Sequence, residues 1–297
     1  MKILLFGKNG QVGWELNRLL LPAGNVVALG RDDADLSKPD MLRKIIGDTK
    51  PDIIVNAAAY TAVDKAEDEE ELAIIINGNA PGVMAEEARK LDALLVHYST
   101  DYVFDGTKKV PYVESDRPNP VNAYGRSKLA GEEAIQKSSC DYLILRTSWV
   151  YSARGNNFLL KILQLAKERE SLSIVDDQVG APTWARSIAD MTRKAVSVCA
   201  KEKSTGEFKS DVYHLAAPSC TNWFMFANKI IDAAAATRCS SDLVVKEILP
   251  ISSKEFVSAV RRPDYSCLAI EKMKNKYGII IPGWEDSVQL CVESVCQ

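Results

Sequence analysis

Apolar residues along this chain fall into short uninterrupted runs, and most runs end in small or polar residues before a helical pattern begins. Residues 2–6, 25–29, 52–55, 94–98 and 142–145 are such runs. Continuous apolar sequence at strand length, without polar alternation, predicts strands covered on both faces, as in a parallel sheet. Residues 14–21, 158–166 and 184–199 repeat apolar positions at helical spacing, which predicts helices with one buried face. Strand and helix in alternation predict an α/β fold built on a doubly wound parallel sheet.

Residues 172–175 read as a short strand, residues 211–215 as the last strand of the sheet, and Thr221 as the cap of a helix running to Ala236. Beyond residue 219 the strands shorten and the helices become irregular, which predicts a smaller α/β C-terminal lobe. On this pattern residues 1–175, with 184–217 returning to them, form one unit. Residues 176–183 and 218–297 form a lobe whose cleft with that unit takes a ligand. The stretch 201–209 reads as a polar surface linker and the acidic stretch 64–71 as a solvated helix start. Residues 111–120, with prolines at 111, 118 and 120, read as a loop that lasts until Asn122 opens a helix.

Composition narrows the partners. A formal net charge of -3 provides no basic field, so nucleic acid is not expected. The opening apolar run is too short for a signal segment and no later one approaches bilayer length, so no membrane attachment is expected either. Seven cysteines without a Cys-x-x-Cys pair and without an export signal read as reduced thiols of a cytoplasmic protein. His97 and His214, each flanked by apolar residues, read as structural, and no metal ligand set is expected.

The first run leads into Gly7-Lys8-Asn9-Gly10-Gln11-Val12-Gly13 and then a helix. Glycines let a backbone turn tightly and approach a pyrophosphate, and the N–H groups opening the helix attract its charge. Strand, glycine turn and helix in this order predict a Rossmann-like dinucleotide site, or else a purely structural turn; the spacing is G-x-x-G-x-x-G instead of G-x-G-x-x-G. The second run closes with Gly30-Arg31-Asp32-Asp33. An acid there binds ribose hydroxyls and an arginine accommodates a 2′-phosphate; Arg31 comes first, which favours NADPH over NADH. Asp35 can reach the adenine or cap the helix after Pro39. Ala57, Ala58 and Ala59 leave room at a strand end for a flat cofactor. Asn77 either bonds backbone near the site or lies at the surface.

Tyr124 and Lys128 stand four apart on a helix and so share a face. An ammonium beside a phenol favours phenolate and pulls its pKa down towards working pH, which suits proton transfer. Thr100 ends a strand with a hydroxyl aimed where substrates sit in open sheets. Trp149 can stack on a sugar or base, or simply pack. Tyr–Lys pairs at this spacing also occur by chance on surface helices, so the surrounding chain decides.

Gly7, Gly10 and Gly13, then Asn56-Ala57-Ala58-Ala59, Ser99-Thr100-Asp101-Tyr102-Val103-Phe104, Tyr124-x-x-x-Lys128 and Arg146-Thr147-Ser148-Trp149-Val150-Tyr151 occur in order. Together they resemble the extended short-chain dehydrogenase/reductases. Ala62-Val63-Asp64-Lys65-Ala66-Glu67, Gly155-Asn156-Asn157-Phe158, Asp177-Gln178-Val179-Gly180-Ala181-Pro182-Thr183 and Arg261-Arg262-Pro263 are similar to the branch of that family that reduces dTDP-4-dehydrorhamnose. The resemblance implies a catalytic trio of Thr100, Tyr124 and Lys128. It implies NAD(P)H along Gly7, Gly10, Gln11, Val12, Gly13, Arg31, Asp35, Leu36, Ala57, Ala58, Ala59, Tyr124 and Lys128. Val63, Tyr102 and Trp149 then lie near the deoxysugar of a dTDP-sugar, with Asn157 and Arg261 towards its diphosphate. The implied reaction reduces the C4 ketone of dTDP-4-dehydro-L-rhamnose to give dTDP-L-rhamnose for cell-surface polysaccharide, in a chain that pairs as a homodimer. Some members hold Mg2+ at a dimer contact, and Glu15 matches one of its acids. Arg186 stands where those members place another, so the resemblance leaves Mg2+ open without committing the chain to a metal. Two alternatives stay open: an epimerase or dehydratase that keeps NAD+ bound, and a regulatory subunit like the one that accompanies methionine adenosyltransferase.

Overall fold

The structure, a computed structural model, describes residues 1–256 and 260–296. Strands β1 (Lys2–Phe6), β2 (Asn25–Leu29), β3 (Ile53–Asn56), β4 (Leu94–Thr100) and β5 (Asp141–Thr147) belong to one sheet. Short strands β6 (Val150–Tyr151), β7 (Ser171–Val175), β8 (Val179–Gly180) and β9 (Thr183–Trp184) follow, before β10 (Asp211–His214) returns to that sheet. Its order is β2-β1-β3-β4-β5-β10, and every pairing is parallel. From β1 the chain winds outward to β2 on one side and through β3 on the other. The crevice beyond the carboxyl ends of β1 and β3 is therefore the switch point where ligands of such sheets bind.

The apolar runs are continuous because both faces are covered. Ile3, Leu5, Val55 and Val96 join one cluster with α1 (Gln11–Leu19) and other helices, while Leu4, Phe6, Ile54 and Leu95 join a second. The second includes Leu42 and Ile46 of α2 (Pro39–Thr49). After the short helix α3 (Glu70–Ile74), a π-helical turn (Ile75–Asn79) leads into α4 (Ala80–Leu91), which adds Val83 and Met84. Ile135 of α5 (Ala123–Ser138) completes that face. Each such side chain contributes roughly 1.5–3 kcal/mol on burial.

The second half adds α6 (Phe158–Glu168), α7 (Ala185–Thr205), β11 (Thr221–Asn222), α8 (Trp223–Ala235), β12 (Glu247–Ile251), α9 (Glu271–Tyr277) and α10 (Trp284–Val295). β7 pairs with β12, β8 with β11 and β6 with β9. Leu159, Phe226, Ile230, Trp284 and Val288 share their cluster with Ile3 and Leu5, so the apolar core runs unbroken from the sheet into this half.

Several expectations change. α7 continues through residues 201–205, expected as linker, and stops at Gly206, whose φ of 72° suits glycine. The polar residues there are its exposed last turns, and Lys203 pairs with Asp141 and, at 3.1 Å, with Asp92. Asn222, not Thr221, caps α8, its Oδ1 accepting from Met225 N at 2.7 Å. Two cystines replace the expected reduced thiols: Cys220–Cys267 and Cys239–Cys296 are bonded, leaving Cys140, Cys199 and Cys291 as buried thiols. The partners are 47 and 57 residues apart in sequence, so only tertiary packing brings them together.

Candidate active site

The glycine turn is shaped by contact with its neighbours. Gly7 has φ 89°, and a Cβ built on it would lie 2.7 Å from Ala58 N and 2.8 Å from the Ala57 carbonyl carbon. A Cβ on Gly13 would lie 2.0 Å from Gly7 O, so α1 begins directly against the turn. Gly10 is the N-cap of α1, and its N–H donates to Gly7 O at 2.9 Å. β1 and β3 thus meet backbone to backbone in front of a helix N-terminus, a cradle whose shape and polarity fit a dinucleotide pyrophosphate.

At the end of β2, Arg31 is exposed while Asp33 turns back to accept from Gly30 N at 2.8 Å and Lys8 Nζ at 2.7 Å. The hydrogen bond from Lys8 holds the Asp33 carboxyl below its ordinary range. Asp35 accepts from Ser37 N and Oγ at 3.0 and 2.8 Å, closing a turn; it does not cap α2, whose N-cap is Lys38. Leu36, Ser37, Pro39, Ile75, Asn79 and Ala80 line a cleft of about 260 Å³ beside this turn.

The helix carrying the Tyr–Lys pair is pinned at its first turn. Asn122 Oδ1 accepts from Gly125 N at 2.8 Å, Ala123 N donates to Glu67 Oε1 at 2.7 Å, and Arg126 Nε donates to Glu70 at 2.7 Å. Glu67 and Glu70, expected as solvated, therefore fix α5 in place. Thr100 Oγ1 donates to Asp101 Oδ1 at 3.0 Å and accepts from Tyr102 N at 3.2 Å. The Thr100 side chain also lies beside the Tyr124 phenol.

Burial pushes that phenol up to about 12, with the Thr100 contact opposing the rise. Lys128, expected to pull it down, is not among the groups that act on it; its amine is turned to Tyr98 and His97, and desolvation sets the direction. Lys128 is itself buried, and burial lowers it to about 8 against the pull of Glu132. Its Nζ donates to Tyr98 O at 2.6 Å and lies 3.2 Å from His97 Nε2. Tyr102 stands edge-on to Tyr124 with ring centroids 5.8 Å apart.

Other predicted residues take varied places. Trp149, half-buried with φ 43°, stacks on Trp223 at 3.4 Å. Asn157 is occupied within the fold: its Oδ1 caps α6 through Leu160 N at 3.1 Å, and its Nδ2 donates to Gln11 Oε1 at 3.0 Å and Ser152 O at 2.9 Å. Val63 is half-buried, and Val12 of α1 packs against the core. The Arg261 backbone O accepts from Asn122 Nδ2 at 3.0 Å while its side chain is exposed. Asn77 is buried, Oδ1 accepting from Tyr60 N at 2.8 Å, which settles its two readings in favour of the backbone contact.

Sequence reasoning missed the strap around residues 261–268. Arg262 Nη2 donates to Asp64 Oδ1 at 2.6 Å and its guanidinium lies beside the Tyr102 hydroxyl, while Ser266 lies beside the Asp101 carboxyl. The Arg261-Arg262-Pro263 motif was visible, but nothing local pointed to Ser266 or Asp101. Burial raises the Asp101 carboxyl to about 7.

Residues 1–296 match the family described as the RmlD substrate binding domain. The chain belongs to that family. It is 50% identical to the dTDP-4-dehydrorhamnose reductase of Burkholderia thailandensis, over 99% of both chains. It is 43% identical to the dTDP-4-dehydrorhamnose reductase of Salmonella typhimurium, over 97% of this chain and 96% of that one. The crystal structure of dTDP-4-dehydrorhamnose reductase from Bacillus anthracis in complex with NADP superposes with a TM-score of 0.88 at 33% identity, covering 98% of each chain. UDP-glucose 4-epimerase from Thermus thermophilus, at 16% identity and a TM-score of 0.80, shares the fold.

In this RmlD-family chain the magnesium position named above does not fit a cation. Glu15 lies in the field of Arg186, Arg18 and Arg154, two of which stack on the Trp14 ring at 4.1 and 3.9 Å. Three positive charges acting on one carboxylate oppose a divalent ion there. Burial nonetheless raises the Glu15 carboxyl above its ordinary value.

Proposed function

We propose that this chain is an NADPH-dependent reductase that converts the C4 ketone of dTDP-4-dehydro-L-rhamnose to the alcohol of dTDP-L-rhamnose. One arrangement carries the reading: Thr100, at the carboxyl end of β4, lies beside the Tyr124 phenol, one helical turn from Lys128. The names of full-length relatives at up to 50% identity support the same substrate.

A bound nicotinamide cofactor supplies the hydride. Gly7, Gly10, Gln11, Val12 and Gly13 would hold its pyrophosphate opposite Ala57, Ala58 and Ala59, with Asp35 and Leu36 towards the adenine. Arg31, exposed while Asp33 is tied to Lys8, is the group for a 2′-phosphate and favours NADPH. With its pKa near 12 Tyr124 enters the reaction protonated, and it donates that proton to the alkoxide oxygen as the carbonyl is reduced. Thr100 orients the carbonyl, and the Lys128 amine stabilises the phenolate left behind. Tyr102, Val63 and Trp149 border the sugar, and Arg261 with Asn157 lies towards the diphosphate.

Residues 1–175 with 184–217 are assigned to cofactor binding, and 176–183 with 218–297 to the sugar nucleotide. The reading includes a homodimer, a role in cell-surface polysaccharide and a cytoplasmic setting, where the two cystines would be open to thiol exchange. No helix among the described residues is long and apolar enough to cross a membrane. The test is NMR identification of the product after incubation with dTDP-4-dehydro-L-rhamnose and NADPH, with no second protein present. dTDP-L-rhamnose and stoichiometric NADPH oxidation are expected. An epimerised ketone without net oxidation would assign the chain to the epimerases instead, and no turnover at all to a regulatory role.

A further inference from the structure

His97 lies between β3 and α5 and has no part in the chemistry above, yet both of its ring nitrogens are engaged. Asn56, its register neighbour on β3, approaches Nδ1 through Nδ2 at 3.1 Å, and Lys128 Nζ lies 3.2 Å from Nε2. Asn56, His97 and Lys128 are each at most 2% exposed, so water does not relieve a mismatch among them. The orientation of the asparagine amide is fixed from its other end: Oδ1 accepts from Ala58 N at 3.2 Å, in the alanine turn that packs on Gly7. The Asn56 group facing the imidazole is therefore its NH2, which only donates. Nδ1 must accept, so the proton of a neutral imidazole resides on Nε2 and points at the lysine.

An ammonium has three donors and no acceptor, so an N–H aimed at it repels it, whereas a neutral amine offers a lone pair to that N–H. We propose that His97 is a positioning residue for Lys128, and that Asn56 fixes its tautomer so that an imidazole N–H faces the lysine and disfavours its ammonium form. Lys128 keeps one donor contact, to Tyr98 O, and its charge state is set by a buried chain running from the Ala58 amide through Asn56 and His97. The charge that opposes this, Glu132, is weakened by its own partner. Glu132, on its own helix, has both carboxylate oxygens on Arg146 of β5, at 2.9 and 2.6 Å. Burial lowers Lys128 to about 8, so its ammonium is already disfavoured where the imidazole N–H meets it.

The inference rests on the reading of Lys128 as the partner of Tyr124, but its first test needs no turnover. The chain has two histidines, and His214 supplies the opposite case: its Nδ1 faces the Ala269 carbonyl at 3.2 Å and must donate. Nitrogen-15 NMR of histidine-labelled protein should therefore show two neutral tautomers, Nε2–H for His97 and Nδ1–H for His214. An Nδ1–H form at His97 would overturn the proposal. The second test is Asn56→Asp, whose carboxylate accepts from both Ala58 N and the imidazole. It should turn His97 to Nδ1–H and move the alkaline limb of the kcat pH profile up by about one unit. In a His97→Phe background, or His97→Leu should that variant not fold, most of this displacement should vanish. An equal displacement in both backgrounds would mean that the new charge acts directly and that His97 only fills space. Loss of turnover in Tyr124→Phe tests the catalytic reading separately.

Discussion

Asn77 grips Tyr60 at both of its backbone polar groups: Oδ1 accepts from Tyr60 N at 2.8 Å and Nδ2 donates to Tyr60 O at 2.9 Å. The same Nδ2 donates to Ser127 Oγ at 3.0 Å, and Ser127 donates to Tyr124 O at 2.8 Å. One buried amide on the π-helical turn thus ties the loop after β3 to the helix that carries Tyr124. Asn77→Ala should leave two backbone groups without partners, at roughly 1–3 kcal/mol each. Urea denaturation should show a loss in that range, and kcat should fall tenfold or more as Tyr124 loses its register with the loop. A variant as stable and as active as the parent would make this contact dispensable.

Gly7→Ala tests the cradle. The φ of 89° and the approach to Ala57 and Ala58 leave no room for a methyl group, so β1 and β3 must separate at the crevice. NADPH binding, followed by fluorescence titration, should weaken at least tenfold. Gly10→Ala meets nothing nearer than 3.4 Å within the chain, so it should fold normally. If Gly10→Ala nonetheless weakens NADPH, the obstruction is to the ligand itself, which places the cofactor over the N-cap.

Tyr124→Phe removes the proton donor while keeping the ring against Tyr102. Turnover should fall by roughly 10²–10⁴-fold, the usual worth of a positioned general acid. The NADPH dissociation constant should change little, because the phenol is not part of the glycine cradle. Stopped-flow turnover beside equilibrium titration separates the two, and an unchanged kcat would remove Tyr124 from the chemistry.

The sheet and the placing of Tyr124 beside Lys128 on one helix were legible because their signals are local. Each strand of the sheet is a continuous apolar run, the glycine turn lies within seven residues, and Tyr124 and Lys128 share one helix. What sequence could not give is held by pairs distant along the chain. Glu67 meets Ala123, Asp64 meets Arg262 and Asn56 meets His97 only after folding, and each residue alone reads as an ordinary polar position. The cystines were hidden for the same reason. The Tyr124 phenol was misjudged because spacing reveals a neighbouring lysine but not the depth at which both are buried.

Asp101 and Lys128 give stability an unusual pH dependence, and the signs can be worked out. Burial raises Asp101 from 3.8 to about 7, so between those values the folded chain holds a proton that the unfolded chain has released. Stability therefore falls as pH rises through that window, and the cost is complete above about 7. Lys128 acts in the other direction. Lowered from 10.5 to about 8, it costs stability below 8, and that cost is relieved as pH rises towards 10.5 because the unfolded chain then holds the extra proton. These two groups place a minimum between pH 7 and 8, where both penalties are in force. Asp101→Asn should remove the acid limb: at pH 8 the variant should be the more stable protein, by at most about 4 kcal/mol at ~1.4 kcal/mol per pH unit. At pH 4.5 the difference should shrink to about 1 kcal/mol, since pH then lies only a little above the unfolded value of 3.8. Urea melts at both pH values decide it, and a difference that stays constant with pH would mean that some contact other than the buried charge separates the two proteins.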